Sequence, residues 1–261
     1  MPSTVPPPEP TGIADCTDDA LLDGRVRVLQ PTRGYRVAVD AVLLAAAVPL
    51  TAGDRILDVG CGVGAATLCL LARAAAMGVT DVRAVGLEVQ PRYVTLARLN
   101  ADRNGVGDIF EVIAGDVAAP PVSAAFDHVM TNPPYLPAAQ ADPSPDRAKA
   151  LATVESTADL ATWLDVCLRV LRPGGTLSVV HRADRQAELI ARLRAHAAEL
   201  AVLPLLPRAG AMPKRLILRA RKGAGGIVRA LPGLVLHQAG GGYTSETDAI
   251  LRAAAPLDFA G

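Results

Sequence analysis

Short apolar runs alternate with longer amphipathic stretches along most of the chain, and this alternation predicts strands that alternate with helices. The predicted strands are Arg55–Val59, Val82–Val89, Ile109–Ala114, Phe126–Met130, Thr176–Val180, Ala201–Leu206 and Arg215–Ala220. The predicted helices are Ala65–Ala76, Pro91–Asn104, Leu160–Leu171 and Asp184–Ala198. Repeated strand-helix-strand units are right-handed and give a mostly parallel sheet, so the pattern predicts the α/β class.

The first fifty residues divide into two parts. Residues 1–20 combine a proline run with small polar residues, so we expect a disordered lead-in there, followed by a single domain over residues 21–261. In the first segment of that domain, residues 21–50, valines alternate with arginines from Val26 onward, which indicates a short strand or a hairpin. Asp40 precedes an apolar helical run and is predicted to cap it.

The last segment, residues 223–261, is predicted to extend the domain at its C-terminal end. Its apolar positions indicate a hairpin around Val228 and Leu234–His237, followed by a helix at Ser245–Ala253. Further upstream, Ala138–Ser156 mixes Pro, Asp, Arg and Ala over a length that suits a lid over an active site.

Composition excludes several classes of function. The chain has 261 residues, 51% of them hydrophobic, and its 26 Lys+Arg balance 26 Asp+Glu. A neutral chain is not a small basic nucleic-acid-binding module, although an enzyme can still contact nucleic acid with one face. The four cysteines form no C-x-x-C pair and no histidine clusters with them, so we expect no metal site and a reduced, cytoplasmic setting. No signal peptide and no membrane-spanning run is predicted.

A glycine-rich turn joins the first strand of the alternating region to the following helix. The stretch Leu57–Gly64 reads LDVGCGVG, and Gly60, Gly62 and Gly64 allow the backbone to bend tightly and to approach a ligand closely. Reading one residue further also gives G-x-G-x-x-A, so a nicotinamide dinucleotide remains an alternative, as does a turn without a ligand. Asp58 disfavours the dinucleotide, because a carboxylate is unfavourable beside a pyrophosphate and favourable beside an ammonium or sulfonium group.

Acidic residues follow the next two strands at the same predicted edge of the sheet. Glu88 closes the second strand, where a carboxylate can accept both hydroxyls of a ribose. Asp116 follows the third strand, and its side chain can accept an adenine amino group while the Val117 N–H meets a ring nitrogen. Taken singly, Glu88 could be a surface acid and Asp116 a turn residue. Together with the glycine turn, they predict one nucleoside-binding site.

These motifs in combination resemble those of the class I S-adenosylmethionine-dependent methyltransferases. LDVGCGVG resembles their first motif, Glu88 their second-strand acid, and GDV at 115–117 their adenine-contacting turn, while LRPGG before Thr176 is similar to the segment before their fifth strand. The resemblance implies a Rossmann-like fold with a seven-stranded, mostly parallel sheet, an antiparallel last strand and helices on both faces. It also implies that S-adenosyl-L-methionine is the cofactor and that it is held by Asp58, Gly60, Gly62, Gly64, Glu88, Asp116 and Val117.

The fourth strand leads into Asn132-Pro133-Pro134-Tyr135, a turn that suits a planar amino group. The lone pair of such a nitrogen is delocalised, so the nitrogen is a poor nucleophile. Asn132 Oδ1 and the Pro133 carbonyl can each accept one of its N–H bonds, which polarises the nitrogen and aims its lone pair at a methyl group. Tyr135 can stack on the planar acceptor. Asn132, Pro133 and Tyr135 are therefore the predicted catalytic residues, with a proline-rich loop containing an Asx turn as the alternative.

This turn resembles the motif of amino-methyltransferases that act on adenine N6, cytosine N4 or protein glutamine, all of which present a planar NH2. The flanking segments Leu22–Leu44, Pro213–Leu216 and Gly242–Thr244 resemble those of the bacterial tRNA1(Val) adenine-N6 methyltransferases. The resemblance therefore implies methylation of the tRNA adenine beside the anticodon, with tRNA as the partner. A methyltransferase for protein glutamine or for another nucleic acid, a non-catalytic RNA-binding protein and an oxidoreductase remain as alternatives.

Cations are dense in two segments that are predicted to contact tRNA phosphates. One segment is Arg25–Arg36, and the other runs from Lys214 to Arg229 without a single acid. The alternative is that both segments are solvated edge strands, in which cations prevent edge-to-edge pairing.

Overall fold

Two antiparallel strands, β1 (Cys16–Leu21) and β2 (Val26–Pro31), form a hairpin near the start of the described structure. The computed structural model describes residues 15–33, 36–122, 125–137, 154–155 and 158–259. The pairing of β1 with β2 confirms the hairpin, which was one of the two structures indicated around Val26.

The disordered lead-in predicted over residues 1–20 is wrong for residues 16–20, because these residues form β1. The Asp19 carboxylate of this strand accepts hydrogen bonds from Gln30 and Arg36, 2.7 and 2.9 Å long. Composition alone does not show that a polar segment has partners further along the chain. The rest of the predicted lead-in, apart from Asp15, lies outside the described residues.

The part of the main sheet that holds the predicted site consists of five parallel strands. They include β3 (Arg55–Val59), β4 (Arg83–Glu88), β5 (Phe110–Ala114) and β6 (Phe126–Thr131). The two-residue strands β7 (Leu136–Pro137) and β8 (Val154–Glu155) pair with each other, and the rest of the predicted lid segment lies outside the described residues. The fifth parallel strand, β9 (Leu171–Arg182), lies beside β6 and gives the order β5-β4-β3-β6-β9. It begins earlier than Thr176, because Leu171 already pairs with Phe126.

The last strands extend the sheet beyond the seven that the resemblance implies. β10 (Ala197–Leu206) is antiparallel to β11 (Arg215–Lys222), and β11 is also antiparallel to β9, as predicted for the last strand. β12 (Ile227–Ala230) and β13 (Leu234–Val235) each pair parallel with β10, so the sheet has nine strands within the described residues. The predicted tail hairpin is therefore wrong. Both tail strands satisfy the backbone groups that β10 would otherwise expose at the sheet edge.

Helices cover both faces of the sheet, which confirms the predicted α/β class. They are α1 (Val39–Ala47), α2 (Ala65–Ala76), α3 (Pro91–Arg103), α4 (Leu160–Val170), α5 (Gln186–Leu193) and α6 (Ser245–Ala253). Residues of α1, α2, α3 and α6 share one apolar core with Ile56, whereas residues of α4 and α5 share the other with Leu57. Successive residues of β3 thus point to opposite faces of the sheet. In the described ranges, no helix has the length and apolar character that a membrane span requires.

Two predicted helix boundaries need correction. The helix predicted over Asp184–Ala198 is shorter, because short 3-10 turns flank α5 and β10 already begins at Ala197. Asp40 does not cap α1, since the helix begins at Val39 and Ala38 occupies the N-cap position without a side-chain hydrogen bond. The Asp40 carboxylate contacts residues of the candidate site instead.

Candidate active site

A pocket opens at the carboxyl ends of β3, β4, β5 and β6, where open parallel sheets bind their ligands. All but one of the predicted site residues line it. Those that do are Asp58, Gly60, Gly62, Glu88, Asp116, Val117, Asn132, Pro133 and Tyr135. Because these residues come from four different strand ends, their assembly in one pocket follows directly from the parallel topology.

Gly64 is the predicted site residue that does not line the pocket. It occupies the N-cap position of α2 with a φ of 84°, and a Cβ at this position would lie 2.9 Å from the ring of Phe110. Gly64 therefore permits the turn and the close packing beneath it. Gly62 also has a positive φ, of 56°, but a Cβ there would meet no other atom within 4 Å, so its backbone lies open beside the pocket.

Asp58 is buried near the end of β3, with 2% of its surface exposed. Burial raises the pKa of Asp58 to about 7; the hydroxyl of Thr67, which donates to Oδ2 at 2.8 Å, opposes this shift, and the charge of Glu88 adds to it. A cation beside Asp58 would stabilise its ionised form. The pocket therefore suits an ammonium or sulfonium group better than a pyrophosphate.

Glu88 is held in one orientation by two backbone donors. Gly62 N–H donates to Oε2 at 2.9 Å, and Gln90 N–H donates to Oε1 at 2.8 Å. Burial raises the pKa of Glu88, while these backbone hydrogen bonds lower it. Each carboxylate oxygen has a second lone pair, so the fixed group can still accept two hydroxyls of a ribose.

Asp116 forms a turn as well as lining the pocket. Its Oδ1 accepts the Ala118 N–H at 2.9 Å, and its backbone carbonyl accepts the Ala119 N–H at 3.1 Å. This is the turn expected of an isolated Asp, and it directs the neighbouring Val117 toward the pocket. The adenine contacts of Asp116 and Val117 stay a prediction.

The Asn-Pro-Pro-Tyr turn is anchored to both β3 and α4. Thr131, just before the turn, donates its hydroxyl to the Val59 carbonyl at 2.8 Å and accepts the Trp163 Nε1–H at 2.7 Å. Within the turn, the Tyr135 hydroxyl donates to Asn132 Oδ1 at 2.5 Å. The amide that is predicted to hold an acceptor nitrogen is thus fixed in position by its own turn.

Tyr135 is surrounded by side chains from β9, β11 and α1. The His181 ring meets its ring edge to face, with centroids 5.4 Å apart, and the Arg215 guanidinium carbon lies 5.9 Å from its centroid. Its hydroxyl lies 3.2 Å from Asp40 Oδ2. Burial and the charge of Arg185 lower the pKa of His181 to about 4, so this ring is neutral at pH 7.

Sequence reasoning missed several residues that shape this pocket. Thr67 and Trp163 lie in predicted helices, where nothing in the local pattern distinguishes a residue that bonds to a distant strand. Asp40 was predicted to cap a helix, and Arg215 was grouped with the phosphate-binding cations. Their ion pair, 2.9 Å from Nε to Oδ2, joins positions that are far apart in the chain. Only the topology brings them together.

The predicted phosphate-contacting line from Lys214 to Arg229 is wrong as a single line. β11 begins beside the carboxyl end of β9 and runs back along it. Arg221 therefore pairs with Thr176, at the end of the strands that lies away from the pocket. Four of the cations have internal partners. Arg215 pairs with Asp40, Arg219 lies 4.1 Å from the Phe259 ring centroid, Lys222 donates to the Leu168 and Leu171 carbonyls, and Arg229 pairs with Glu199.

The alternative of solvated edge strands also fails for β11, which lies between β9 and β10. In the Arg25–Arg36 segment, acids of β1 neutralise part of the charge, because Arg27 pairs with Asp18 and Arg36 pairs with Asp19. Arg208 and Lys214 are exposed and lie in the turn between β10 and β11, which is next to the carboxyl end of β9.

Comparison with known proteins agrees with this geometry. The family model described as "Methyltransferase domain" matches residues 50–225. The tRNA1(Val) (adenine(37)-N6)-methyltransferase of Aeromonas hydrophila is 30% identical over 212 residues, which cover 80% of this chain and 85% of that protein. The protein of the same name from Porphyromonas gingivalis is 29% identical over 225 residues, which cover 81% and 85%.

Among solved structures, a predicted O-methyltransferase of Agrobacterium tumefaciens has a similar fold. It superposes with a TM-score of 0.67 at 23% sequence identity, and the match covers 83% of this chain and 97% of that chain.

We expect Glu88→Ala to weaken S-adenosylmethionine binding by about 1.5–3 kcal/mol, because a charge-assisted contact to the ribose would be lost. Titration calorimetry measures this directly, and Glu111→Ala, at an exposed position of neighbouring β5, is the matched control that should bind normally. An unchanged affinity in Glu88→Ala would remove Glu88 from the binding site.

We expect Asp58→Asn to stabilise the ligand-free protein at pH 8. The pKa of Asp58 is raised in the folded state, so the free energy of unfolding falls as the pH rises from about 4 through about 7 and the buried carboxyl ionises. An asparagine side chain does not ionise, so the variant does not lose this stability. Thermal denaturation should show a higher Tm for the variant at pH 8, by about 2–4 °C for each kcal/mol gained in the free energy of unfolding. The gain in Tm should be smaller at pH 5.5. Asp108→Asn, at an exposed position, should show no such pH-dependent gain. A variant that is less stable than wild type at pH 8 would contradict this account.

Proposed function

Because the chain belongs to the methyltransferase-domain family and uses S-adenosylmethionine, we propose that it methylates N6 of an adenine in tRNA, next to the anticodon, in the cytoplasm. The observation that carries the proposal is the position of the Asn-Pro-Pro-Tyr turn. Asn132 and Pro133 line the same pocket as Asp58 and Glu88. A planar amino group on the turn would therefore lie close to a cofactor held by the two acids.

The residues of the pocket suit transfer of a methyl group to a weak nitrogen nucleophile. When bound, S-adenosylmethionine would supply an electrophilic methyl group on its sulfonium; the S–CH3 bond would break as the N–CH3 bond forms, with S-adenosylhomocysteine as the leaving group and one N–H proton released to solvent. Asp58 favours the positive charge, and Glu88 holds the ribose. Asn132 Oδ1 and the Pro133 carbonyl accept the two N–H bonds of the acceptor, so that its lone pair faces the methyl group.

No strong base is needed in this mechanism, and His181 does not supply one. Its pKa of about 4 leaves it neutral, and it packs against the ring of Tyr135. The rate gain comes from positioning and from acceptors that are already oriented before the substrate arrives. Asp58 also disfavours the oxidoreductase alternative, because a pyrophosphate beside a buried carboxylate would be repelled.

The names of the relatives favour tRNA adenine over other planar amines. The Aeromonas and Porphyromonas proteins are named for adenine 37 of tRNA1(Val), and each match covers most of both chains. A protein glutamine presents the same NH2 group to the turn, so the acceptor itself has to be identified by experiment.

The experiment is a methyl-transfer assay with labelled S-adenosylmethionine, given separately to unmodified tRNA and to total protein. We expect the label in N6-methyladenosine of tRNA, and its incorporation should be sensitive to RNase. Label that survives RNase and disappears with protease would overturn the tRNA assignment while leaving the amino-methyltransferase assignment intact.

We expect Asn132→Ala to reduce turnover by about 10²–10³-fold, because a preorganised acceptor is lost at the reacting nitrogen. Its affinity for S-adenosylmethionine should change much less. Asn104→Ala is the matched control, since Asn104 bonds the hairpin backbone at Arg27 and does not line the pocket. Normal methylation by Asn132→Ala would make the turn merely structural.

We expect tRNA binding to depend on Arg208 and Lys214, because they are exposed in the turn that precedes β11, at the end of the sheet where the parallel strands have their carboxyl ends. Each phosphate contact contributes roughly 0.7–0.9 to the slope of log affinity against log salt, so Arg208→Ala with Lys214→Ala should weaken binding and flatten that slope. Arg221→Ala changes an exposed cation at the opposite edge and should have little effect. Equal losses in the double variant and in Arg221→Ala would place the RNA elsewhere.

A further inference from the structure

Four polar side chains form a continuous chain of contacts behind the Asn-Pro-Pro-Tyr turn. Arg215 Nε lies 2.9 Å from Asp40 Oδ2, and the same oxygen lies 3.2 Å from the Tyr135 hydroxyl. The Tyr135 hydroxyl in turn lies 2.5 Å from Asn132 Oδ1. The chain thus connects an ion pair with a buried carboxylate to the amide that is predicted to hold the acceptor.

Tyr135 is the branch point of this chain, because its hydroxyl has one hydrogen and reaches both Asp40 Oδ2 and Asn132 Oδ1 among the described residues. The shorter distance, to Asn132 Oδ1, favours the amide oxygen over Asp40 Oδ2 as the acceptor of this hydrogen. A rotation about the bond between the ring and the hydroxyl oxygen would direct it to Asp40 instead. Such a rotation needs no movement of the ring.

We infer that Asp40 is a positioning residue for methyl transfer: it takes the Tyr135 hydroxyl when an acceptor amine binds, and so leaves Asn132 Oδ1 to the amine. This inference rests on the proposed amino methylation, but not on tRNA being the acceptor. While Tyr135 donates to Asn132 Oδ1, it draws electron density from that oxygen and weakens it as an acceptor. Once the hydroxyl has turned to Asp40, the full acceptor strength of Asn132 acts on the N–H bond of the substrate.

The environment of Asp40 suits this role. Its side chain is 3% exposed, and Arg215 holds Oδ2 in place. Oδ1 is buried and has no hydrogen-bond partner among the described residues. A buried carboxylate with unused acceptor capacity attracts a hydroxyl strongly, because water does not compete there. Burial raises the pKa of Asp40, whereas the Arg215 charge and the Tyr135 hydroxyl lower it and favour the ionised form.

Neither helix capping nor pocket lining explains Asp40. α1 begins without a side-chain cap, and Asp40 is not among the residues that line the pocket, although its neighbour Ala41 is. Among the described residues, its side-chain polar contacts are those with Arg215 and with the Tyr135 hydroxyl. A role in positioning the turn would account for a buried carboxylate that is paired with Arg215 at this place.

The test is a double-mutant cycle between Asp40→Asn and Tyr135→Phe, measured as kcat on the acceptor that the wild-type protein methylates. Asp40→Asn keeps the shape of the side chain but removes its charge, so the hydroxyl stays on Asn132 and kcat should fall roughly tenfold, the effect of one hydrogen bond. In the Tyr135→Phe background there is no hydroxyl to redirect. There, Asp40→Asn should change kcat less than about twofold.

Two further measurements and two further variants separate this role from a structural one. The Kd for S-adenosylmethionine and the Tm should stay close to those of each parent, since the cycle concerns only the hydroxyl. Arg215→Gln, which releases Asp40 Oδ2, should show the same dependence on Tyr135. The control is Asp127→Asn, which removes an ion pair with Arg172 (2.7 Å from Nε to Oδ1) at the end of the sheet opposite the pocket. It should leave kcat unchanged in both backgrounds.

Each outcome bears on the inference. An equal loss of kcat from Asp40→Asn in both backgrounds would overturn it and leave the proposed function standing, because Asp40 would then act on the fold alone. A wild-type protein that methylates neither tRNA nor protein would overturn the proposed function and this inference together.

Discussion

The carboxyl ends of β3, β4, β5 and β6 must lie at one edge of the sheet because these strands are parallel, and the candidate site depends on this constraint. Parallel strands need a crossover between them, so each strand end is followed by a turn on the same edge. The polar groups after each strand therefore converge, although they are widely separated in the chain. The hydrogen bond from Gly62 to Glu88 joins the first two of these turns directly.

Convergence places several ionisable groups in a space with little water, and this has an electrostatic cost. Burial raises the pKa values of Asp58 and Glu88, so the pocket holds these carboxylates in an unfavourable setting. A ligand with a positive charge would relieve this cost. The buried carboxylates that reduce the stability of the fold are therefore the groups that would favour a cationic ligand.

The alternation of strands and helices and most of the residues that line the pocket are correctly predicted from the sequence, because both follow from local patterns. β3, α2 and α6 have the predicted bounds, and the short motifs at strand ends are recognisable without a structure. What the sequence does not predict are contacts between distant segments. β1 is polar and depends on partners in and beyond β2, β12 and β13 pair with β10 rather than with each other, and Arg215 pairs with Asp40. The antiparallel direction of β11 likewise decides which cations lie beside the pocket, and composition carries no information about this.

The most direct test of the account is a crystal structure with S-adenosylhomocysteine and an RNA stem-loop that carries the acceptor adenine. The account predicts that the adenine N6 lies about 2.7–3.2 Å from both Asn132 Oδ1 and the Pro133 carbonyl, with the cofactor ribose on Glu88. An adenine bound elsewhere, or an N6 that contacts neither oxygen, would contradict the claim that this turn holds the nitrogen for methyl transfer.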